Sequence, residues 1–318
     1  MKFKLKIKLL LKNPPFFATT DLNKPFQMNH IEKIEEMLFP QYKICRFYSR
    51  FLFSFELGFD QMIYFYCQAC KKGTIWTHNT ILQRSRISFP IISRLIYFYL
   101  ENRTIKDVYK ILISSDLNFQ VNIKTIRHYF NIFDQFSLEY YKIKLDTTVF
   151  EGQIEIDETL LFKQKKTSAR HRYYKLGKIW ILGIKKRNSN DFLILPIASR
   201  SQTAIISVIL RYVKSDSYLY TDCYSAYVDN RAIPKKSKLA CYGYKHQFVC
   251  HKEEFVSTLF PTIHSNTVER LWRELKNDFR IRKTRHKYIM AIARFVFLRS
   301  LDREEQIDFI IKNLSKNK

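Results

Sequence analysis

Apolar and polar residues follow two different periods along this chain, and the change of period divides it into regions. Between about residues 84 and 145 the apolar positions recur every three or four residues, as in helices that bury one face. From about residue 150 to 250 short apolar runs and alternation are typical of strands. Beyond Asn266 the helical period returns. This order predicts an α/β fold in the second half, preceded by a mainly helical region.

The strand predicted for residues 153–161 holds an acid in its middle. Alternation places Ile154 and Ile156 on one face and Glu155, Asp157 and Thr159 on the other. A carboxylate inside a buried strand is costly unless a cation lies against it. Asp157 therefore lies either on a solvated edge or beside a cationic partner. Glu158 falls on the face of the isoleucines, so Asp157 is the better candidate ligand.

Two further apolar runs extend this strand into a sheet. The runs 179–184 and 192–198 are separated by a polar segment, which predicts a hairpin and hence three antiparallel strands. After a helix, a short strand ends at Asp222, and residues 245–249 form one more possible strand. Pairing the fourth strand in parallel beside the first would bring Asp222 close to Asp157.

Three later segments have helical character. Residues 223–227, directly after Asp222, can begin a helix. A second helix starts at Asn266 and carries Glu269 beside an apolar face, and a last one runs from about residue 288 to 301. A helix packed across the sheet could add Glu269 to the two aspartates.

The charge of the chain indicates a polyanionic partner. Its 318 residues include 55 Lys+Arg against 29 Asp+Glu, a net charge of +26. Such a balance favours nucleic acid first and an anionic membrane second. Heavy use of Lys, Ile, Asn, Phe and Tyr also suggests an A/T-rich genome, which would raise the charge without any partner. No apolar run reaches the ~20 residues that span a bilayer, so a membrane protein is not expected.

Three clustered acids in a basic protein predict a particular chemistry. The carboxylates repel one another unless cations bind between them. Mg²⁺ or Mn²⁺ prefers such oxygen ligands, and two ions about 4 Å apart can clamp the attacking and leaving oxygens of a phosphoryl transfer. The pattern therefore favours metal-dependent cutting or joining of nucleic acid.

Four short motifs occur in order along the second half of the chain. They are Ile156–Thr159, Tyr220–Tyr227, Tyr244–His251 and His264–Lys276. Together they resemble the ISXO2-like DDE transposase family, which includes bacterial insertion sequences and the related eukaryotic Merlin-type elements. The resemblance covers roughly residues 150–300. It extends more weakly over 66–136, where this family carries a zinc-ribbon remnant and a helical DNA-binding segment.

The resemblance implies a ribonuclease-H-like fold, with a mixed five-stranded sheet flanked by helices, and cut-and-paste DNA transposition. Asp157, Asp222 and Glu269 would be the catalytic metal ligands for Mg²⁺ or Mn²⁺, with Asn266 as the alternative third residue. A homodimer or higher oligomer on DNA is expected because two element ends are handled together, and no small-molecule substrate is expected. The alternative is an inactive or domesticated DNA-binding protein derived from such an element.

Basic residues in two regions are expected to contact DNA. Lys276 lies two helical turns after Glu269 and can reach a phosphate, and Arg273 and Arg282 belong to the same basic helix end. In the N-terminal half, Lys124 and Arg127 are also expected to contact DNA. There, a helix over residues 105–114 and a second short helix from near residue 122 predict a helix-turn-helix, with these two residues on its outer face. An ordinary helical hairpin fits the same pattern.

The cysteines suggest at most one metal knuckle. Cys67 and Cys70 form a C-x-x-C pair of the kind found in half of a zinc ribbon. A closed site needs four ligands, and only Cys45 lies upstream, without its own partner. The alternatives are a Zn²⁺ site completed by His78 or His30, a decayed ribbon, or two buried thiols. Six cysteines in 318 residues do not make a disulfide framework. We therefore expect an intracellular protein, in the nucleus of a eukaryotic host or in the cytoplasm and nucleoid of a prokaryotic one.

Four regions are predicted from these patterns. They are residues 1–80 with the degenerate ribbon, 81–148 with the helix-turn-helix-like segment, 149–302 with the catalytic domain, and 303–318 as a C-terminal tail.

Overall fold

The computed structural model describes residues 33–34, 37, 43–44, 51–52, 55–57, 62–83, 85, 87–114, 121–162, 179–250, 266–282 and 288–315. They divide into two compact units. The first comprises Met1–Phe136 with Leu301–Lys318, and the second is Ser137–Ser300.

Short antiparallel strands precede helices in the described part of the first unit. The strands are β1 (Lys43–Ile44), β2 (Phe51–Leu52), β3 (Phe55–Leu57), β4 (Ile63–Tyr66) and β5 (Gly73–Ile75). β1 pairs with β2, and β3, β4 and β5 form one sheet. Helices α1 (Phe89–Leu100) and α2 (Ile105–Ser114) follow, and α3 (Ile123–Thr147) begins in this unit.

The predicted start of α2 is confirmed, while α3 is longer than expected. The hydroxyl oxygen of Thr104 accepts a hydrogen bond from the amide of Asp107 at 3.2 Å, which caps the first turn of α2. α3 has 25 residues rather than the few of a short recognition helix. Its apolar spacing continues beyond the predicted segment through Phe133, which is fully buried.

The second unit contains the mixed sheet that the sequence predicts. Its strands are β6 (Gln153–Phe162), β7 (Ile179–Lys186), β8 (Phe192–Ile197), β9 (Tyr218–Asp222) and β12 (Lys245–Val249), in the order β12-β9-β6-β7-β8. β6, β7 and β8 are antiparallel neighbours. β9 runs parallel to β6, and β12 runs parallel to β9.

Helices bury the sheet and so allow apolar runs in its strands. They are α4 (Gln202–Tyr212), α5 (Asn266–Arg282) and α6 (Tyr288–Ser300). Ser201 caps α4 by accepting a hydrogen bond from the amide of Ala204. Residues of β6, β7, β8 and all three helices form one apolar core. The fold is therefore α/β, as predicted.

The helix that residues 223–227 could begin does not form. These residues make a turn that leads into β10 (Val228–Asp229), which pairs with β11 (Lys236–Ser237). The carboxylate of Asp222 accepts a hydrogen bond from the amide of Tyr224 at 3.0 Å, and this local turn replaces the first turn of a helix.

The predicted C-terminal tail is a helix. α7 (Arg303–Leu314) belongs to the first compact unit, with Asp302 and Glu305 forming a reciprocal capping box at its start. Ile307 and Ile310 are fully buried, so an apolar face holds this segment against its unit. Within the described residues, no helix is long and apolar enough to cross a membrane.

Candidate active site

Asp157 lies in the middle of β6, on the face covered by α5. The indole Nε1–H of Trp272 in α5 donates a hydrogen bond to its Oδ2 at 2.7 Å. Burial, together with the negative charges of Glu158 and Asp222, raises the pKa of Asp157 to about 7, although the Trp272 hydrogen bond opposes the shift. Asp157 is therefore an acid whose ionised form is costly in this site without a cation.

Asp222 ends β9 beside Asp157. Glu155 of β6 lies opposite Tyr220 of β9, and continuing this parallel register by two residues brings Asp157 level with Asp222. The charge of Asp222 also contributes, after burial and Glu158, to the raised pKa of Asp157. The predicted pairing of the first and fourth strands is confirmed.

α5 runs along β6, and every fourth residue of α5 contacts every second residue of β6 over the described contacts. Trp272 contacts Asp157, and Lys276 donates from Nζ to the hydroxyl of Thr159 at 2.5 Å. Four helical residues advance about 6 Å and two strand residues about 6.6 Å, so successive contacts stay aligned. Gly183 of β7, opposite Asp157, leaves space for the indole, because a Cβ there would lie 2.5 Å from Cη2 of Trp272.

Glu269 lies on the same side of α5 as Trp272 and Lys276, but its side chain is exposed. It precedes Trp272 by three residues and Lys276 by seven, which places all three along one helix face. Asn266 is the first residue of α5. Within the described part of the chain, no three Asp, Glu, His or Cys side chains converge closely enough to hold a metal ion.

The two aspartates fit a divalent metal by their chemistry. Both are carboxylates, the ligand type of Mg²⁺ and Mn²⁺. The pKa of Asp157 is raised by burial and by neighbouring negative charge, and a cation between the two groups would relieve both effects.

Glu155 belongs to the site, although the sequence pattern predicted only which face of β6 it occupies. It is fully buried two residues before Asp157, and its Oε1 accepts a hydrogen bond from Nε of Arg187 at 2.8 Å. Its Oε2 accepts hydrogen bonds from the backbone amides of Thr267 and Val268, in the first turn of α5, at 3.1 and 3.2 Å. Alternation predicted that Glu155 shares the face of Asp157, but not these partners.

Glu158 lies on the opposite face, as alternation predicts, and has a structural role. Its Oε1 accepts hydrogen bonds from Nε and Nη2 of Arg200 at 2.9 and 2.6 Å, and its Oε2 accepts one from the hydroxyl of Tyr227 at 2.6 Å. The Arg200 guanidinium also lies over the ring of Tyr224. This network fastens the turn that follows Asp222 to β6.

Replacing Arg200 by methionine is expected to lower the free energy of unfolding by about 2 kcal/mol, because Glu158 would stay buried without its cation. Urea denaturation of the two proteins measures the difference. Arg211→Met is the matched control, since Arg211 is exposed and lies 3.9 Å from its partner Asp146. A loss no larger than that of the control would contradict the role of the network.

His246 supports the end of β9 as a neutral side chain. Its Nε2 hydrogen-bonds with the hydroxyl of Thr221 at 2.8 Å, and its Nδ1 with that of Ser237 at 2.7 Å. Burial lowers the pKa of His246 to about 4, so the ring carries no charge near neutral pH. It fixes Thr221, the residue before Asp222.

Residues 149–291 match the family model of the ISXO2-like transposase domain. This segment is therefore similar to the ISXO2-like transposase domain. The resemblance stated from the four motifs is confirmed, and the match contains both aspartates, Glu155 and Glu269. A comparison of the chain with curated proteins gave no match.

The other residues that were expected to touch DNA are distributed over both units. In the transposase domain, Arg273 is exposed and Arg282 is the last residue of α5. Lys276 is partly buried against Thr159. Burial lowers the pKa of Lys276 below its ordinary value, and the charge of Asp157 opposes this shift only in part. Lys124 and Arg127, in the first turns of α3, are exposed. Their contacts with DNA stay a prediction.

The C-x-x-C pair forms a tight turn between β4 and β5. The amide of Lys71 donates to the carbonyl of Cys67 at 2.8 Å, and the amide of Cys67 donates to that of Lys72 at 3.1 Å. Cys45 lies outside the described residues, as does most of the basic run from Lys163 to Arg187. Zinc binding therefore stays a prediction.

Two cysteines at the edge of the transposase domain are bonded, whereas the sequence suggested reduced thiols. Cys223 follows Asp222, and Cys250 follows Val249, the residue paired with Asp222 across β9 and β12. The two strands end level with each other, which brings the Cα atoms of the cysteines to 4.8 Å. Spacing along the sequence gave no signal of this pair.

Proposed function

We propose that this protein is a DNA transposase that cuts the ends of a mobile element and joins the freed 3′-hydroxyl to target DNA. The observation that carries the proposal is the pair of Asp157 and Asp222, side by side on adjacent parallel strands, in a domain matched by the transposase family model. The mixed sheet with helices packed on it supports a ribonuclease-H-like fold.

In this proposal Asp157 and Asp222 hold divalent metal, with Glu269 of α5 as the third ligand. Mg²⁺ or Mn²⁺ bound there would act as a Lewis acid on the phosphate and activate the attacking oxygen. The chain's own groups orient the acids. Trp272 holds one oxygen of Asp157, and the amide of Tyr224 holds one of Asp222.

Positive charge would bind the DNA around these acids. Lys276 lies beside Asp157, where its ammonium group can contact a phosphate. The exposed Arg273 in the second unit, and the exposed Lys124 and Arg127 in the first, are further proposed DNA contacts in a chain of net charge +26. Affinity for DNA should therefore fall steeply with salt. Two element ends must be handled together, so we propose a dimer or higher oligomer on DNA, inside the cell.

Nicking of DNA that carries the element's terminal repeats tests the reaction. Asp222→Ala is expected to lower the Mg²⁺- or Mn²⁺-dependent rate by more than about a hundredfold, because losing a direct ligand should exceed the loss seen for residues that only support one. Asp146→Ala is the matched control, since Asp146 is an exposed acid of the same unit. Equal rates in wild type and Asp222→Ala would refute the proposal.

The same assay separates the two candidates for the third ligand. Glu269→Ala is expected to lose nicking and Asn266→Ala to retain most of it, because Glu269 shares its helix face with Trp272 and Lys276. The reverse result would assign the third position to Asn266.

A second candidate is a DNA-binding protein that has lost catalysis. It is favoured by the absence, within the described residues, of three converging metal-binding side chains. Wild-type protein that binds DNA with a steep salt dependence and never nicks it, in either metal, would select this function.

A further inference from the structure

Glu155 joins the three elements that carry the acids. It lies in β6 and accepts hydrogen bonds from the first turn of α5, 112 residues later in the chain. The hydroxyl of Thr267 also donates to it. On its other oxygen, Arg187 forms an ion pair at 2.8 Å and lays its guanidinium on the ring of Tyr220 in β9, 3.6 Å from the centroid.

A carboxylate from a distant strand caps the first described turn of α5. The first backbone N–H groups of a helix lack partners within the helix and carry partial positive charge. A neighbouring Ser, Thr, Asp or Asn usually satisfies them, and such a cap fixes only the end of its own helix. Glu155, coming from β6, also fixes where α5 begins relative to the sheet.

Three of these residues each precede one of the proposed ligands by two positions. Glu155 precedes Asp157, Tyr220 precedes Asp222, and Thr267 precedes Glu269; we define these three, with Arg187, as the Glu155 cluster. Two residues along a strand return to the same face, whereas two along a helix advance about 3 Å and turn by about 200°. Glu155 and Tyr220 therefore lie one strand repeat before the two aspartates, on the same faces as them, and Thr267 lies in the first turn of α5 together with Glu269.

We propose that Glu155 is a positioning residue that holds the first turn of α5 so that Glu269 lies in register with Asp157 and Asp222. The inference rests on the proposed function. A buried ion pair is a weak source of stability, because desolvation offsets its attraction, and apolar residues of similar volume often serve the fold equally well. A role in fixing the position of α5 explains why a charge pair is buried there.

Two variants weaken the link to different degrees. Glu155→Gln has one acceptor oxygen, which cannot serve both Arg187 and the amides of α5. Thr267→Val removes only the hydroxyl donor and keeps the shape of the side chain, so it remains informative if Glu155→Gln folds poorly. Tyr141→Phe is the matched control, since it deletes a buried hydrogen bond to the carbonyl of Ile194 in the same unit, on β8, two strands away from β6.

Two readouts without DNA test the proposal on the full-length protein. Amide hydrogen exchange at Thr267 and Val268 should speed up in Glu155→Gln and less in Thr267→Val, while the middle of α5 stays protected. Mn²⁺ titration calorimetry should show affinity about tenfold weaker in Glu155→Gln, a smaller loss in Thr267→Val, and none in Tyr141→Phe.

The outcomes distinguish the positioning role from the proposed function. Wild-type Mn²⁺ affinity in both variants, with binding lost in Asp222→Ala, would overturn the positioning role and leave the metal site standing. Unchanged amide exchange in the first turn of α5 would also overturn the positioning role, because Glu155 would then not restrain that turn. Wild-type protein that binds no Mn²⁺ would overturn the metal site and the positioning role together.

Discussion

Replacing Asp157 by asparagine is expected to stabilise the metal-free protein at pH 8 and to abolish its metal-dependent cleavage of DNA. Burial and neighbouring charge raise the pKa of Asp157 to about 7 in the folded state, above its ordinary value of 3.8. The folded state thus binds the proton more tightly than the unfolded chain does. The stability that this proton contributes is fully present below about pH 4, is lost progressively as the pH rises, and is gone above about pH 7.

Asparagine keeps the neutral form at every pH and still offers an oxygen to the indole of Trp272. We expect the variant to gain about 2 kcal/mol of unfolding free energy at pH 8, with the difference shrinking progressively as the pH falls from about 7 towards 4. The nicking rate should fall by more than about a hundredfold, because a carboxylate ligand is lost.

Urea denaturation across this pH range, without divalent metal, measures the stability, and the terminal-repeat assay measures the rate. Asp146→Asn is the control, because it neutralises an exposed acid of the same unit. If the variant were no more stable than wild type at pH 8, ionised Asp157 would not destabilise the folded state. Retained nicking would remove it from the metal site.

Adding a single methyl group at Gly183 is expected to displace α5. A Cβ there would lie 2.5 and 2.6 Å from two ring atoms of Trp272 and 3.0 Å from Cγ2 of Val268, which is too close without a shift. Removing a strand glycine would by itself favour folding by about 0.4–1 kcal/mol. Overpacking costs about 1–3 kcal/mol, so Gly183→Ala should be destabilising overall.

A double-mutant cycle locates the cause. Trp272→Phe removes the larger ring, so Gly183→Ala should cost less in that background than in wild type. Nicking should stay low in the double variant, because phenylalanine cannot donate to Asp157. Equal costs of Gly183→Ala in both backgrounds, measured by urea denaturation, would contradict the contact between these two positions.

The sequence predicted the sheet well because its signals there are local. Alternation along β6 assigned Asp157 and Glu158 to the correct faces, and the short strand before Asp222 paired with β6 as expected. The partners of Glu155 could not be predicted. Arg187 and Thr267 reach it only through tertiary folding, and no spacing rule links residues 112 positions apart.

The errors arose where tertiary contacts outweigh local preference. The segment after Asp222 has helix-compatible residues, yet Tyr227 is buried and bonded to Glu158, which holds the segment in a turn. The bond between Cys223 and Cys250 depends on two strands ending level, which spacing does not reveal. The helix at residues 303–314 differs from these two cases, because its signal is local. Asp302 and Glu305 have the spacing of a capping box, which can be recognised from the sequence alone.

The equal steps of α5 and β6 restrict how this domain can change in length during evolution. One residue inserted within α5 before Trp272 would rotate every later contact by about 100°. One residue inserted within β6 would exchange its two faces. Either change would disconnect Trp272 from Asp157 and Lys276 from Thr159. Insertions and deletions among relatives should therefore fall outside α5 and β6, and lineages should keep both elements at constant length.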